Sequence, residues 1–197
     1  MVGRVRIVSL LPSTTEILFA IGAGDDVVGV TFECDFPPEA RTRTIVSTSA
    51  MPEGLRPHEI DAYVATAMAR GEDLYTLDEG ALRALEPDVV VTQDLCAVCA
   101  VDVTAVDDAL AYLGCAADVV TVDPMSLTEV IESISRLGSI TGHREEAERL
   151  TVSLRHRIDA VAAATAGRRP MRVTVLEWTD PPFTAGHWIP DMVTIAD

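Results

Sequence analysis

Apolar positions along this chain cluster in short runs separated by helical repeats. Residues 5–10, Val27–Thr31, 44–47, Val89–Thr92, 118–122 and 171–177 are rich in β-branched side chains and predict strands. The run behind Pro87-Asp88 shows no polar alternation, as expected for a strand buried on both faces of a parallel sheet with helices on either side. Between the strands, helices are expected over residues 13–22 or 13–24, Pro57–Arg70, 78–85, Val103–Leu113 and 126–137. Ser13 with Glu16, and Ser126 with Glu129, have the spacing of capping boxes. In Pro57–Arg70 the inner side is expected to be Ile60, Val64, Ala67 and Met68.

Residues 144–166 read differently. Ala147, Leu150, Leu154, Ile158 and Val161 recur at helical spacing, and the 23 residues would span about 35 Å. That is more than one sheet crossing requires, so this helix is expected to run as a strut, closing at Gly167 with Pro170 beyond. The predicted organisation is α/β: a Rossmann-like parallel-sheet lobe for ligand binding over residues 1–142, a long inter-lobe helix over 143–168, and the beginning of a C-terminal α/β lobe over 169–197.

Composition narrows the partners. Of 197 residues 48% are hydrophobic, which suits a globular fold; 31 acids face 15 bases, every base is arginine, and the net charge is −16. Phosphate contacts would be repulsive, which argues against nucleic acid or an anionic membrane surface as partner. No apolar run is long enough for membrane insertion and no signal peptide is visible, so the expected location is the cytoplasm; the alternative is extracytoplasmic, with an export signal removed.

Ligands of open α/β sheets gather beyond the carboxyl ends of the strands. By that rule the loops holding Pro12, Ser13 and Thr14, then Glu33, Cys34 and Asp35, then Gln93 to Cys99, converge on one site. The helix after Pro12 would offer backbone N–H groups to an anionic or amide-bearing ligand, or would simply be a capped helix. Farther on, Glu177, Trp178, His187 and Trp188 follow the 171–177 strand; indole faces suit a flat macrocycle, and His187 could ligate a metal or donate a hydrogen bond.

The pair Cys96 and Cys99, three apart, admits three readings. With Cys34 and His187 it would complete a zinc site of three cysteines and one histidine. It could be a redox pair ahead of a helix, or two small hydrophobes in a turn. Cys115 reads as core. No Ser-His-Asp order, phosphate-cradling glycine loop or paired acid/base carboxylates stand out, so an enzyme is not expected.

The segments Arg6-Ile7-Val8-Ser9-Leu10-Leu11-Pro12-Ser13-Thr14-Thr15-Glu16-Ile17, Val28-Gly29-Val30-Thr31 with Pro37-Pro38, and Leu82-Arg83-Ala84-Leu85-Glu86-Pro87-Asp88-Val89-Val90 together resemble the helical-backbone solute-binding proteins of metal-chelate ABC importers. Within that superfamily the likeness is greatest to the cobalamin-binding branch. The resemblance implies two α/β lobes joined by a rigid helix, with a flat chelate (cobalamin, haem or an iron-siderophore) held between them and handed to an ABC permease without chemistry and with no required cofactor. Members often carry a permease-docking glutamate before the 89–92 strand; here Gly80 stands there, beside Asp78 and Glu79. The three cysteines and the helix Pro57–Arg70 also depart from the family pattern. The alternative to chelate uptake is a cysteine-based metal-binding or redox protein on the same fold.

Overall fold

The computed structural model describes residues 4–93, 103–113, 116–169 and 171–197. They form two compact units, residues 1–55 with 62–123 and residues 56–61 with 124–197.

The first unit is built on six strands: β1 (Ile7–Ser9), β2 (Val27–Thr31), β3 (Thr44–Ser49), β4 (Tyr75–Leu77), β5 (Val89–Thr92) and β6 (Asp118–Thr121). Their order is β4-β3-β2-β1-β5-β6, and every pairing is parallel except β3 with β4. Helices α1 (Pro12–Ala20), α3 (Glu79–Leu85) and α4 (Val103–Leu113) follow β1, β4 and β5, while α2 (Pro57–Arg70) bridges the two residue sets. β1 and β5 are buried at every position, as their unbroken valine and isoleucine content requires of strands covered on both faces.

Val8, Leu10, Val46 and Val90 on the sheet meet Leu82 of α3 and Val106 and Leu110 of α4 in one apolar cluster. Gly29 of β2 permits that contact. A Cβ there would lie 2.7 Å from Leu85 Cδ1 and 3.1 Å from both Val46 Cγ1 and Val8 Cγ2, so only glycine lets α3 settle on the sheet. Asp78 starts α3 by accepting the Ala81 N–H at 2.9 Å, and Glu86 closes it in the left-handed conformation.

Three expectations for this unit need correction. The capping box at Ser13 does not form: α1 begins at Pro12, its N-cap is Leu11 with no side-chain hydrogen bond, and Ser13 lies exposed in the first turn. Proline at the first helical position, already lacking its N–H, displaces the cap by two residues, from Ser13 to Leu11. Met68 is 53% exposed, leaving Ala67 as the buried residue of α2. β4 was not expected, because three residues carry too little periodicity to show as a strand.

The second unit is a helical pair with a hairpin. α5 (Leu127–Thr141) buries Ile131, Ile134, Leu137, Gly138 and Thr141, one stripe at helical spacing. Ser126 caps it as expected, accepting the Glu129 N–H at 3.2 Å, while the Glu129 carboxylate accepts the N–H of Met125. Gly142, left-handed at φ +77°, ends α5, and α6 (Arg144–Thr165) turns back along it as a single helix of 22 residues, about 33 Å long. Ala147 and Thr151 are buried on α6, but Val161, expected on the same stripe, is 45% exposed.

The strand expected over residues 171–177 is also corrected. Its first residues are extended but unpaired in the sheet sense, and β7 (Leu176–Thr179) pairs only with β8 (Pro182–Thr184) in an antiparallel hairpin. Met171 and Val173 are 81% and 59% exposed, so the apolar run is not covered within this unit. α7 (Ile189–Ile195) follows, and its Asp191 carboxylate accepts the Leu127 N–H at 2.9 Å, tying α7 to the start of α5. A groove of about 500 Å³ runs among α5, α6 and α7, with Leu127, Ile131 and Ile158 along it and Arg155, Asp159 and Asp191 at its polar positions.

A Cβ on Gly138 would collide with the Cβ of Ala147 and reach 3.0 Å from the His143 carbonyl oxygen. Alanine gains about 1 kcal/mol over glycine in helix propensity, whereas overpacking a fixed contact costs about 1–3 kcal/mol. The packing effect should prevail: Gly138→Ala lowers the unfolding free energy in a urea titration, and an unchanged or raised value would show that α5 and α6 can part without cost.

Candidate functional site

Each parallel strand of the first unit finishes on or near a hydroxyl residue. Thr31 pairs with Ser47, Ser9 stands one residue short of Thr31 in register, and Thr92 pairs with Thr121. Ser9, Thr31, Ser47 and Thr92 are all buried, and together they form a polar row above the valine core. A buried hydroxyl without a partner would cost about 1–3 kcal/mol, so the row has to be satisfied locally. Ser47 donates to Thr31 Oγ1 at 2.8 Å. Ser9 Oγ lies 2.7 Å from Thr14 Oγ1 and 2.9 Å from Thr15 Oγ1, and Thr14 and Thr15 each reach the Leu11 carbonyl oxygen, at 3.0 and 3.1 Å.

Cys34 joins this knot. Its Sγ lies 3.1 Å from Thr15 Oγ1, its N–H donates to the Thr31 carbonyl oxygen at 3.1 Å, and only 3% of the residue is exposed. Burial pushes the Cys34 thiol above its ordinary pKa; hydrogen bonds from Thr15 and at Thr31 oppose the rise, and the Glu33 and Asp35 carboxylates add to it. The thiol is therefore a protonated, inward-facing group that fastens the loop after β2 to the start of α1.

Above the knot the surface is aromatic and acidic. Phe32 is 41% exposed and Phe36 60%. The rings of Phe32 and Tyr75 lie 6.4 Å apart at 47°, and the Tyr75 hydroxyl donates to a Glu33 carboxylate oxygen at 3.2 Å. Asp35 pairs with Arg41 at 3.3 Å. Pro12 is half-buried at the head of α1, Thr14 is buried beneath it, and Gln93 is half-buried just past β5. The structure thus gathers Pro12, Thr14, Glu33, Cys34 and Asp35 at the carboxyl edge of the sheet, with Ser13 at the surface of the same helix turn. Cys96 and Cys99 lie outside the described residues, as does Cys115.

In the second unit, Trp178 is half-buried on β7 with its indole N–H donating to the Asp180 carbonyl oxygen at 3.0 Å. Glu177 is exposed and accepts the Gly186 N–H at 3.4 Å. His187, exposed and left-handed at φ 52°, sits with its ring 5.9 Å from that of Trp188. Among the described residues no group of three or more His, Cys, Asp or Glu gathers where it could hold a metal ion.

Sequence reading passes over Ser9, Thr15, Thr31, Phe32 and Tyr75 at this edge. The hydroxyls do leave a signal, since β1, β2, β5 and β6 all end on Ser or Thr. Tyr75 leaves none, because its place at the edge depends on the unexpected antiparallel strand β4.

Two outcomes test this knot. Thr15→Val keeps the shape but removes the hydroxyl that serves Ser9, Leu11 and Cys34, so the unfolding free energy should fall by about 1–3 kcal/mol; a change below about 0.5 kcal/mol would mean the knot is slack. Because the folded thiol of Cys34 holds its proton more tightly than the unfolded one, its stabilising contribution is complete below the unfolded pKa and is lost as pH rises through the folded value. Denaturation of the parent chain and Cys34→Ala, near neutrality and near pH of about 10, should show a steeper alkaline fall in the parent. Equal falls would contradict the assignment.

Comparison with known proteins places this geometry. The chain is 27% identical over 150 residues to an uncharacterised ABC transporter substrate-binding lipoprotein of Bacillus subtilis, covering 76% of this chain and 38% of that protein. It is 25% identical over 183 residues to the vitamin B12-binding protein of Yersinia pestis, covering 92% of this chain and 54% of that one. The chain thus spans about half, or less, of the curated relatives it matches. Two solved structures share the fold: a possible iron-binding (periplasmic solute-binding) protein from Staphylococcus epidermidis, with TM-score 0.69 at 22% identity over 98% of this chain and 65% of that one, and a periplasmic vitamin B12 binding protein of Vibrio cholerae, with TM-score 0.67 at 21% identity over 97% and 63%. With residues 7–197 matching the family described as periplasmic binding protein, and with the parallel sheet and its carboxyl-edge loops in place, this chain belongs to the periplasmic binding protein family.

Proposed function

We propose that this chain serves substrate capture for ABC-type uptake, binding a flat metal chelate, cobalamin or a related corrinoid, without chemical change and delivering it to a permease. The observation that carries this reading is the aromatic pair of exposed Phe32 and half-buried Tyr75, fixed above a satisfied hydroxyl row where α/β sheets receive ligands. Aromatic faces bind planar rings by stacking, and Glu33 with Pro12 and Gln93 would supply polar and apolar contacts around them. Vitamin B12-binding proteins among the curated relatives support the choice of corrinoid. On the second unit, Trp178 and Trp188 offer further aromatic surface of the same kind, with Glu177 and His187 beside them.

The division into a lobe over 1–142, a helix over 143–168 and a second lobe begun at 169–197 belongs to the same proposal, as does an extracytoplasmic site of action. Permease docking would involve the exposed acidic start of α3, where Glu79 stands next to the capping Asp78.

Titration of the chain with cyanocobalamin, haemin and zinc ion, followed by absorbance and by tryptophan fluorescence, tests the reading. Cyanocobalamin should bind saturably, and Phe32→Ala should weaken it by about 3- to 10-fold, the size of a lost aromatic contact. Saturable binding of zinc ion with no response to cyanocobalamin would overturn it in favour of a cysteine-based metal protein.

A further inference from the structure

Charge is distributed unevenly over the first unit. Nineteen of the chain's 31 acidic residues but only six of its 15 arginines belong to it. Those arginines are sorted by the direction of the strands. Arg4 and Arg6 precede β1, Arg43 precedes β3, and Arg83 lies in the last turn of α3, shortly before β5 begins; all four are at the amino edge. Three of them are engaged there: Arg4 with Asp25 and Asp26 at 3.0 and 2.6 Å, Arg6 with the Leu85 carbonyl oxygen at 2.7 Å, and Arg43 with the Gly24 carbonyl oxygen at 2.9 Å.

Asp25, Asp26, Glu86, Asp88 and Asp118 stand at the same edge, so its charges nearly balance, whereas the carboxyl edge carries an excess of acids. Glu33 and Asp35 follow β2, Glu53 follows β3, Glu72 and Asp73 precede the antiparallel β4, and Asp123 follows β6. The arginines nearest in sequence to this edge, Arg41 and Arg70, are each paired with one of its acids, Asp35 at 3.3 Å and Glu72 at 3.7 Å. A chelate resting on Phe32 and Tyr75 therefore meets a surface on which acids outnumber arginines, with Glu33 held beside the rings by the Tyr75 hydroxyl.

We infer that this edge selects its ligand by charge, admitting neutral or cationic planar chelates and rejecting anionic ones such as haem, whose propionates are carboxylates at neutral pH, or carboxylate-bearing siderophores. The inference rests on the chelate-binding reading above and narrows it. Repulsion between ligand carboxylates and Glu33 and Asp35 acts over about 30 Å at an ionic strength of about 0.01 M and over about 3 Å at about 1 M, so salt separates it from contact effects.

The test uses two porphyrins of one ring size, haemin and a tetracationic N-methylpyridyl porphyrin, together with neutral cyanocobalamin. The cationic ring should bind at least about 10-fold tighter than haemin at low salt, and the gap should close at high salt. The double substitution Glu33→Gln with Asp35→Asn should tighten haemin about fivefold at low salt. Glu145→Gln with Glu148→Gln, the same charge change on α6, should leave it within about twofold, which separates a local effect from the chain's overall charge. Equal responses to the two double substitutions, or haemin binding that ignores salt, would overturn the inference. If the porphyrins sort by charge while cyanocobalamin fails to bind, the corrinoid reading falls and charge selection stands.

Discussion

A strand buried on both faces can be apolar for its whole length, but it must end somewhere, and its last residues carry polar groups into a region that water does not reach. In this chain the problem is solved the same way on several neighbouring strands. β1, β2, β5 and β6 each finish on a hydroxyl, and Ser9, Thr14, Thr15, Thr31, Ser47 and Cys34 satisfy one another over a few ångströms. The knot fixes where α1 starts and where the loop after β2 leaves the sheet. Phe32, Glu33 and Asp35 are placed by that loop, so the surface offered to a ligand is a consequence of how the core is closed.

The same closure explains why Cys34 is a structural thiol. A reactive or metal-binding cysteine needs its thiolate form accessible, whereas burial disfavours the anion and the neighbouring carboxylates disfavour it further. Its hydrogen bond to Thr15 links the loop after β2 to a helix residue 19 positions earlier in the chain. The surface at this edge is left to side chains outside the knot, the rings of Phe32 and Tyr75 and the carboxylates of Glu33 and Asp35.

The second unit follows different physics. Its helices α5 and α6 approach closely because Gly138 and Ala147 leave room, and only the facing stripe of each is buried. Beyond α6 the apolar residues Met171, Val173, Val175, Leu176 and Phe183 stay exposed around a two-stranded hairpin. Two strands alone cannot cover an apolar face, which is why a run that reads as a buried strand is found exposed here.

Much of this was written in local sequence. The valine-rich runs set β2 and β5, the spacing of Ile131, Ile134 and Leu137 set α5, and the helical repeat over residues 144–166 set α6 as one helix, because burial on both faces, burial on one stripe and helical period each leave a direct pattern in the chain. Family likeness was likewise legible from residues 6–17, 28–31 with Pro37-Pro38, and 82–90 taken together. Tertiary structure alone decided the rest. Cys34 meets Thr15 only because the loop after β2 passes the start of α1, and Tyr75 reaches Glu33 only because β4 reverses against β3. These depend on residues far apart in the chain meeting across the sheet, and no window of sequence contains both partners.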